Sequence, residues 1–304
     1  MNVLDLFSGI GGFSLGLERA GFKTVAFCEI EEFPRKVLKK HWPVVPIYED
    51  VRNVTRERLV SDGIPRIDIV TGGFPCQDIS VAGNQKGIEA ERSGLWSELC
   101  RIIGDVRPRY AIVENVTALI SGNNGRWLGK VLGDLAEIGY DAEWHCISAS
   151  ELGAHHHRDR VWIICADTDK QRCNDRSDNW QERHLQNDEE WQSKKDQRQG
   201  DEWKSRTSEA CEVLSNTMCE GLEGHRFASK YDKAIQQKAK PIVSIDLQSG
   251  VSREYWSVEP KLGRVANGIP DRSHRLKGLG NAVVPQIPEL IGRAIMEAEN
   301  ERHS

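Results

Sequence analysis

The thiol of Cys76 stands in the run Gly72-Gly73-Phe74-Pro75-Cys76-Gln77, just after the apolar stretch Ile67-Asp68-Ile69-Val70. An apolar run of that length, bounded by glycine and proline, reads as a buried strand, so the cysteine falls at a strand's carboxyl end. In open α/β sheets that edge is where ligands bind; the glycine pair permits close backbone approach and Pro75 stiffens the residue before the sulfur. The stretch alone fits either a reactive thiol or a small apolar cap on a core strand. A carboxylate reaches the same edge at Glu114, in Glu114-Asn115-Val116, which follows the strand-like Tyr110-Ala111-Ile112-Val113. Two cations, Arg158 and Arg160, lead into the strand pattern Val161-Trp162-Ile163-Ile164-Cys165, where alternation would point both to one face.

The elements that must position these groups begin at the first residues. Val3-Leu4-Asp5-Leu6-Phe7 reads as a strand, Ser8-Gly9-Ile10-Gly11-Gly12 as a tight turn, and Phe13, Leu15, Leu17 and Ala20 as one face of a helix that stops at Gly21. A second strand, 24–28, ends in Glu29, and an amphipathic segment, 33–41, closes the βαβ unit. A glycine turn followed by an acidic residue at the end of the second strand is the layout that binds the adenosine part of a cofactor. The spacing Gly9-x-Gly11-Gly12 departs from the dinucleotide pattern, which weakens the case for NAD. It suits a cofactor such as S-adenosylmethionine, which has no pyrophosphate to cradle.

Further along, 46–50 is another strand end carrying a carboxylate, 81–92 is a long polar loop of the kind that forms lids, and 95–106 is a helix stopped by Pro108. A helix over 126–138, a strand over 142–148 and a C-terminal helix over 287–299, with Ile287, Leu290, Ile291, Ala294 and Ile295 on one face, complete the pattern. The C-terminal helix needs a sheet to cover, so the chain is expected to return to its first domain. Between them, 167–240 is rich in polar and charged residues with isolated Trp180, Trp191 and Trp203, and reads as a solvated insertion or a loop-built recognition surface.

Bulk properties restrict the class. The chain has 304 residues, 38% of them hydrophobic, and no apolar run of membrane-spanning length, so a cytoplasmic protein is expected. The 8 cysteines are scattered through a chain too large to need disulfide staples. His155-His156-His157 lack a Cys or carboxylate at ligand spacing, and no metal is expected. A net charge of -5 argues mildly against a nucleic-acid partner without excluding a basic cleft.

Taken together, Asp5-Leu6-Phe7-Ser8-Gly9-Ile10-Gly11-Gly12, Gly73-Phe74-Pro75-Cys76-Gln77, Glu114-Asn115-Val116, Arg158-Asp159-Arg160 and Gly280-Asn281-Ala282-Val283-Val284-Pro285 resemble, in order and spacing, the DNA (cytosine-5) methyltransferases of bacteria and phages. The resemblance implies a Rossmann-like α/β methyltransferase sheet with a smaller, loop-rich target-recognition domain. Residues 1–165 and 264–304 would form the catalytic domain and 166–263 the recognition domain. It implies Cys76, Glu114, Arg158 and Arg160 as catalytic residues, the thiolate adding to carbon 6 of cytosine, Glu114 supplying a proton at nitrogen 3, and both arginines holding the base near the thiol. Phe7, Gly9, Gly11, Gly12, Glu29, Asp50, Leu95 and Asn281 would bind S-adenosylmethionine, with Glu29 on the ribose and Asp50 on the adenine amino group.

The implied partner is double-stranded DNA with its target base flipped out, the 81–92 loop acting as lid. The protein is expected to act as a monomer, without an obligatory protein partner, in a restriction-modification, orphan or phage-protective setting. One departure is His155-His156, where the family usually has Pro-Gln. Two other activities stay open: an RNA (tRNA) cytosine-5 methyltransferase, and a NAD-dependent oxidoreductase, which explains the glycine turn and Glu29 but gives Cys76, Glu114 and Asn281 no role.

Overall fold

In the computed structural model, which describes residues 1–75, 94–168, 242, 245 and 272–303, the apolar runs of the sequence become strands of one seven-stranded sheet. The strands are β1 (Asn2–Leu6), β2 (Lys23–Cys28), β3 (Ile47–Tyr48), β4 (Ile69–Gly72), β5 (Tyr110–Val116), β6 (Tyr140–Ser148) and β7 (Asp159–Asp167). Their order across the sheet is β3-β2-β1-β4-β5-β7-β6. The first five pair in parallel, and β7 enters antiparallel between β5 and β6. The inner strands β1, β4 and β5 are covered on both faces, which is why they read as continuous apolar runs. The α/β class expected from the sequence is the one observed.

Helices cover both faces. Between the strands run α1 (Gly12–Arg19), α2 (Glu32–His41), α3 (Arg56–Ser61), α4 (Leu95–Val106), α5 (Ala118–Ser121) and α6 (Arg126–Glu137), and after the last strand come α7 (Arg272–Asn281) and α8 (Gln286–His303). The α4 stripe Trp96, Leu99, Ile102, Ile103 and Val106, with Leu128, Val131 and Leu135 of α6, packs on Leu4, Leu6, Val70, Ala111, Val113, Val161 and Ile163. On the other face, Phe13 and Leu17 of α1 and the expected α8 stripe Ile287, Leu290, Ile291, Ala294 and Ile295 bury Val3, Ile69, Tyr110, Ile112, Trp162 and Ile164. Close contact of α8 with α1 depends on Gly292, where a Cβ would meet Ala20 at 2.9 Å.

Two segments differ from the sequence expectation. The helices α3 and α7 carry too few apolar residues to show a helical period; α3 starts because Thr55 caps it, its hydroxyl accepting from the Arg58 N–H. β7 begins at Asp159, so Arg160 lies on the strand and Arg158 just before it. The polar region 169–241, the 81–92 loop and Cys76 lie outside the described residues.

The far end of α8 is locked to the sheet by polar contacts. Glu299, 4% exposed, accepts from the Tyr110 hydroxyl at 2.8 Å and lies 2.5 Å from Arg109 Nη2. Removing one partner of a buried pair leaves the other charge uncompensated, so Glu299→Ala is expected to lower the unfolding free energy by about 3–5 kcal/mol. Glu299→Gln, which keeps an acceptor for Tyr110, should lose less; urea unfolding of the three proteins measures both.

Candidate active site

The strand order reverses direction between β1 and β4, and the two loops leaving those strands at that point are the glycine turn and the segment leading to Cys76. Such a switch point opens a crevice between loops that run to opposite faces. Asp5, Thr71, Glu114 and Arg160 follow the α8-covered face to this edge by strand alternation.

On the β1 side the backbone is unusual. Phe7 has φ 53, a region non-glycine residues seldom occupy, followed by Gly9 at φ 53 and Gly11 at φ 88. A Cβ at Gly9 would meet nothing within 4 Å, so the turn there faces open space. At Gly11 a Cβ would meet the Trp42 ring at 2.7 Å, and at Gly12 it would run into the carbonyl of Val283. The requirement for glycine at 11 and 12 is thus already met by protein neighbours. Glu29, 8% exposed, accepts from the Gly9 N–H and the Glu31 N–H, each at 2.7 Å, and its own N–H bonds the Tyr48 carbonyl. Burial pushes its carboxyl above the usual range. Asp50, after β3, caps the turn that follows; hydrogen bonds from the Arg52 side chain and N–H hold its carboxyl below the usual range. Phe7 and Leu95 both pack at the rim of the α4-side core. Asn281 ends α7, beside the carbonyls described next.

On the β4–β5 side, Glu114 accepts from Arg160 Nε at 2.9 Å. Its side chain is 14% exposed, and burial pushes its carboxyl up, against the opposing pull of Arg160 and Arg158. Its Oε2 would lie 3.1 Å from a Cβ on Gly73, and the neighbouring Asn115 donates to the Phe74 carbonyl at 3.3 Å. The chain entering Cys76 is therefore held against Glu114. Arg158 does not join Arg160 at the carboxylate. Its Nη2 donates to the carbonyls of Gly280 at 2.9 Å and Ala282 at 2.8 Å. Arg160 thus addresses Glu114, and Arg158 the C-terminal segment that also covers Gly12. His155, His156 and His157 are exposed in the turn before β7, and no metal-binding group of His, Cys, Asp or Glu occurs among the described residues.

Residues 1–256 match the family model of the C-5 cytosine-specific DNA methylases. The chain belongs to that family. Within it, the chain is 36% identical over 170 residues to the type II methyltransferase M2.BsuMI of Bacillus subtilis, covering 55% of this chain and 42% of that protein. It is 38% identical over 164 residues to M.CviJI of Paramecium bursaria Chlorella virus IL3A, covering 54% and 42%. With M.HhaI of Haemophilus parahaemolyticus it shares 32% over 165 residues, covering 54% and 49%. The chain spans about half the length of the curated relatives it matches.

Three side chains at this edge were not singled out from sequence. Ile30, next to Glu29, is 65% exposed, and Arg35 donates to the carbonyls of Glu29 and Ile30. Asp5 is fully buried, accepting from Ser14 of α1 at 2.8 Å and from Thr71 of β4 at 2.9 Å, so it ties the first turn of α1 to the strand before Cys76. Only its place in the glycine motif could have pointed to it. Burial pushes its carboxyl up to about 7. Between the ordinary carboxylate range and that value the native state holds a proton the unfolded chain has released, so stability falls as pH rises through the window and levels off above it. Asp5→Asn removes this slope, its amide donating to a hydroxyl oxygen that can accept. Thermal unfolding at pH 5 and pH 8 should show the wild type losing stability at the higher pH and the variant losing much less.

Proposed function

We propose that the chain transfers a methyl group from S-adenosylmethionine to carbon 5 of cytosine in double-stranded DNA. The observation that carries this is the carboxyl of Glu114, kept above its usual range by burial, paired with Arg160 and set against the segment that leads to Cys76. It is an acid beside the strand end that leads to the expected nucleophile. Carbon 5 of cytosine is too electron-poor to attack a methyl group directly. The Cys76 thiolate adds to carbon 6, the ring electrons move toward nitrogen 3, and Glu114 gives that nitrogen its proton. Arg160 orients the Glu114 carboxyl and keeps positive charge beside the ring as it becomes electron-rich. The sulfonium of the bound donor supplies the electrophilic methyl group for carbon 5. Nitrogen 3 then returns its proton to Glu114, carbon 5 gives up its hydrogen as a proton to solvent, and the carbon–sulfur bond breaks to release Cys76 and restore the aromatic ring.

The residues at the β1–β3 edge fit such a donor. Gly9 leaves open space above the turn, and Glu29 offers a buried carboxylate already oriented by two N–H groups, suited to ribose hydroxyls. The exposed Ile30 side chain gives an apolar surface for the adenine ring, and the ionised Asp50 an acceptor for its amino group. Phe7, Gly11, Gly12, Leu95 and Asn281 shape the same edge. We assign 166–263 to target recognition and the remainder to catalysis, and the protein to the cytoplasm as a monomer. No helix among the described residues is long and apolar enough to cross a membrane.

Incubating the full chain with labelled donor and with duplex DNA or tRNA, followed by bisulfite sequencing, tests substrate and product together. Carbon-5 methylation of DNA is expected; methylation of tRNA alone would move the assignment to RNA. Cys76→Ala should abolish methylation, and Glu114→Gln should slow it by about 10²–10⁴-fold, the usual scale of a lost general acid. Undiminished methylation by Cys76→Ala would refute the mechanism.

A further inference from the structure

Glu29 and Ile30 lie in the connection between β2 and α2, and the two side chains face different problems. The Glu29 carboxylate is buried and held by two N–H groups. Ile30 is 65% exposed, so packing does not fix its direction, and it points wherever its backbone is held. That backbone is gripped from α2. Arg35 Nη1 donates to the Ile30 carbonyl at 2.7 Å and to the Glu29 carbonyl at 3.4 Å. Its Nη2 lies 3.4 Å from Glu49 Oε1, on the loop that carries Asp50, and the Arg35 side chain is 23% exposed, its stem mostly covered. The N–H side of the connection is fastened by Glu29 and by the Tyr48 carbonyl, and the carbonyl side by one guanidinium.

We propose that Arg35 is a positioning residue for the nucleoside half of the methyl donor, its guanidinium fixing the Glu29–Ile30 peptide so that the carboxylate and the apolar side chain are set before the ligand arrives. The proposal rests on the reading of this edge as the donor site. Setting a binding loop in advance removes the ordering penalty that the ligand's contacts must otherwise overcome, so its loss appears in affinity. Glu49, 73% exposed, orients the guanidinium from a solvated position and contributes little energy of its own.

The test uses the full chain and S-adenosylhomocysteine, the demethylated product of the donor, titrated by calorimetry into the wild type, Arg35→Ala, Arg35→Lys and Glu49→Ala. Arg35→Ala is expected to weaken affinity about tenfold, the scale of one or two hydrogen bonds from a charged donor. Arg35→Lys, which keeps a charge without the fork, should fall between, and Glu49→Ala should stay within about twofold of the wild type. In steady-state methylation the loss should appear in KM for the donor rather than in kcat. In the ligand-free protein, hydrogen exchange at the Glu31 and Gly9 amides, which donate to Glu29, should speed up in Arg35→Ala. Unchanged affinity in Arg35→Ala would overturn the proposal and leave the donor site standing, as would a lower kcat with unchanged affinity, the mark of general fold support. A wild type that does not bind S-adenosylhomocysteine would overturn the donor site itself, and the proposal with it.

Discussion

One stretch of chain, from Gly280 to Pro285, is held from two directions, and the geometry of the site depends on that hold. Arg158 donates to the carbonyls of Gly280 and Ala282, while the Val283 carbonyl occupies the space a side chain at residue 12 would need. The same segment therefore closes over the glycine turn of β1 and reaches the turn before β7. The two edges of the crevice are set relative to each other by polar contacts to backbone, which tolerate little displacement before they are lost.

Low dielectric does the remaining work. Glu114 has an arginine 2.9 Å away and would ordinarily be a strongly ionised partner, yet burial still favours its neutral form. A carboxyl raised by burial and held by an arginine keeps its proton to higher pH than a solvated carboxylate does, and is the better placed to lend it to a ring nitrogen. Asp5 shows the same physics without a cation: two hydroxyl groups bring its carboxyl partway back toward the ionised form, and it links α1 to β4 behind the reacting edge.

Much of the arrangement was legible in the residues. Buried parallel strands announce themselves as unbroken apolar runs, and the α8 stripe at 287, 290, 291, 294 and 295 has the period of the surface it covers. The edge carrying Glu29, Glu114 and Arg160 followed from placing each at a strand end. What the sequence hid were relations between distant segments. The neighbours that require glycine at 11 and 12, Trp42 and the Val283 carbonyl, come from distant parts of the chain, as do the Gly280 and Ala282 carbonyls that Arg158 holds. Helix α7, with Leu276 and Leu279 both exposed, has no buried apolar face to betray it. The residues at 76–93 and most of 169–271, where the thiol and the recognition region fall, are outside what the structure describes.

The bond between Tyr110 and Glu299 spans 189 positions of the chain. During synthesis the strands emerge well before α8 exists, and until it arrives Val3, Ile69, Tyr110, Ile112, Trp162 and Ile164 lack the apolar stripe of α8 over them. A sheet with an incompletely covered face exposes apolar surface, so the nascent chain passes through a sticky interval whose length is set by how long the intervening residues take to translate. The crevice cannot be closed before then, because the segment that covers Gly12 lies directly ahead of α8 in the chain.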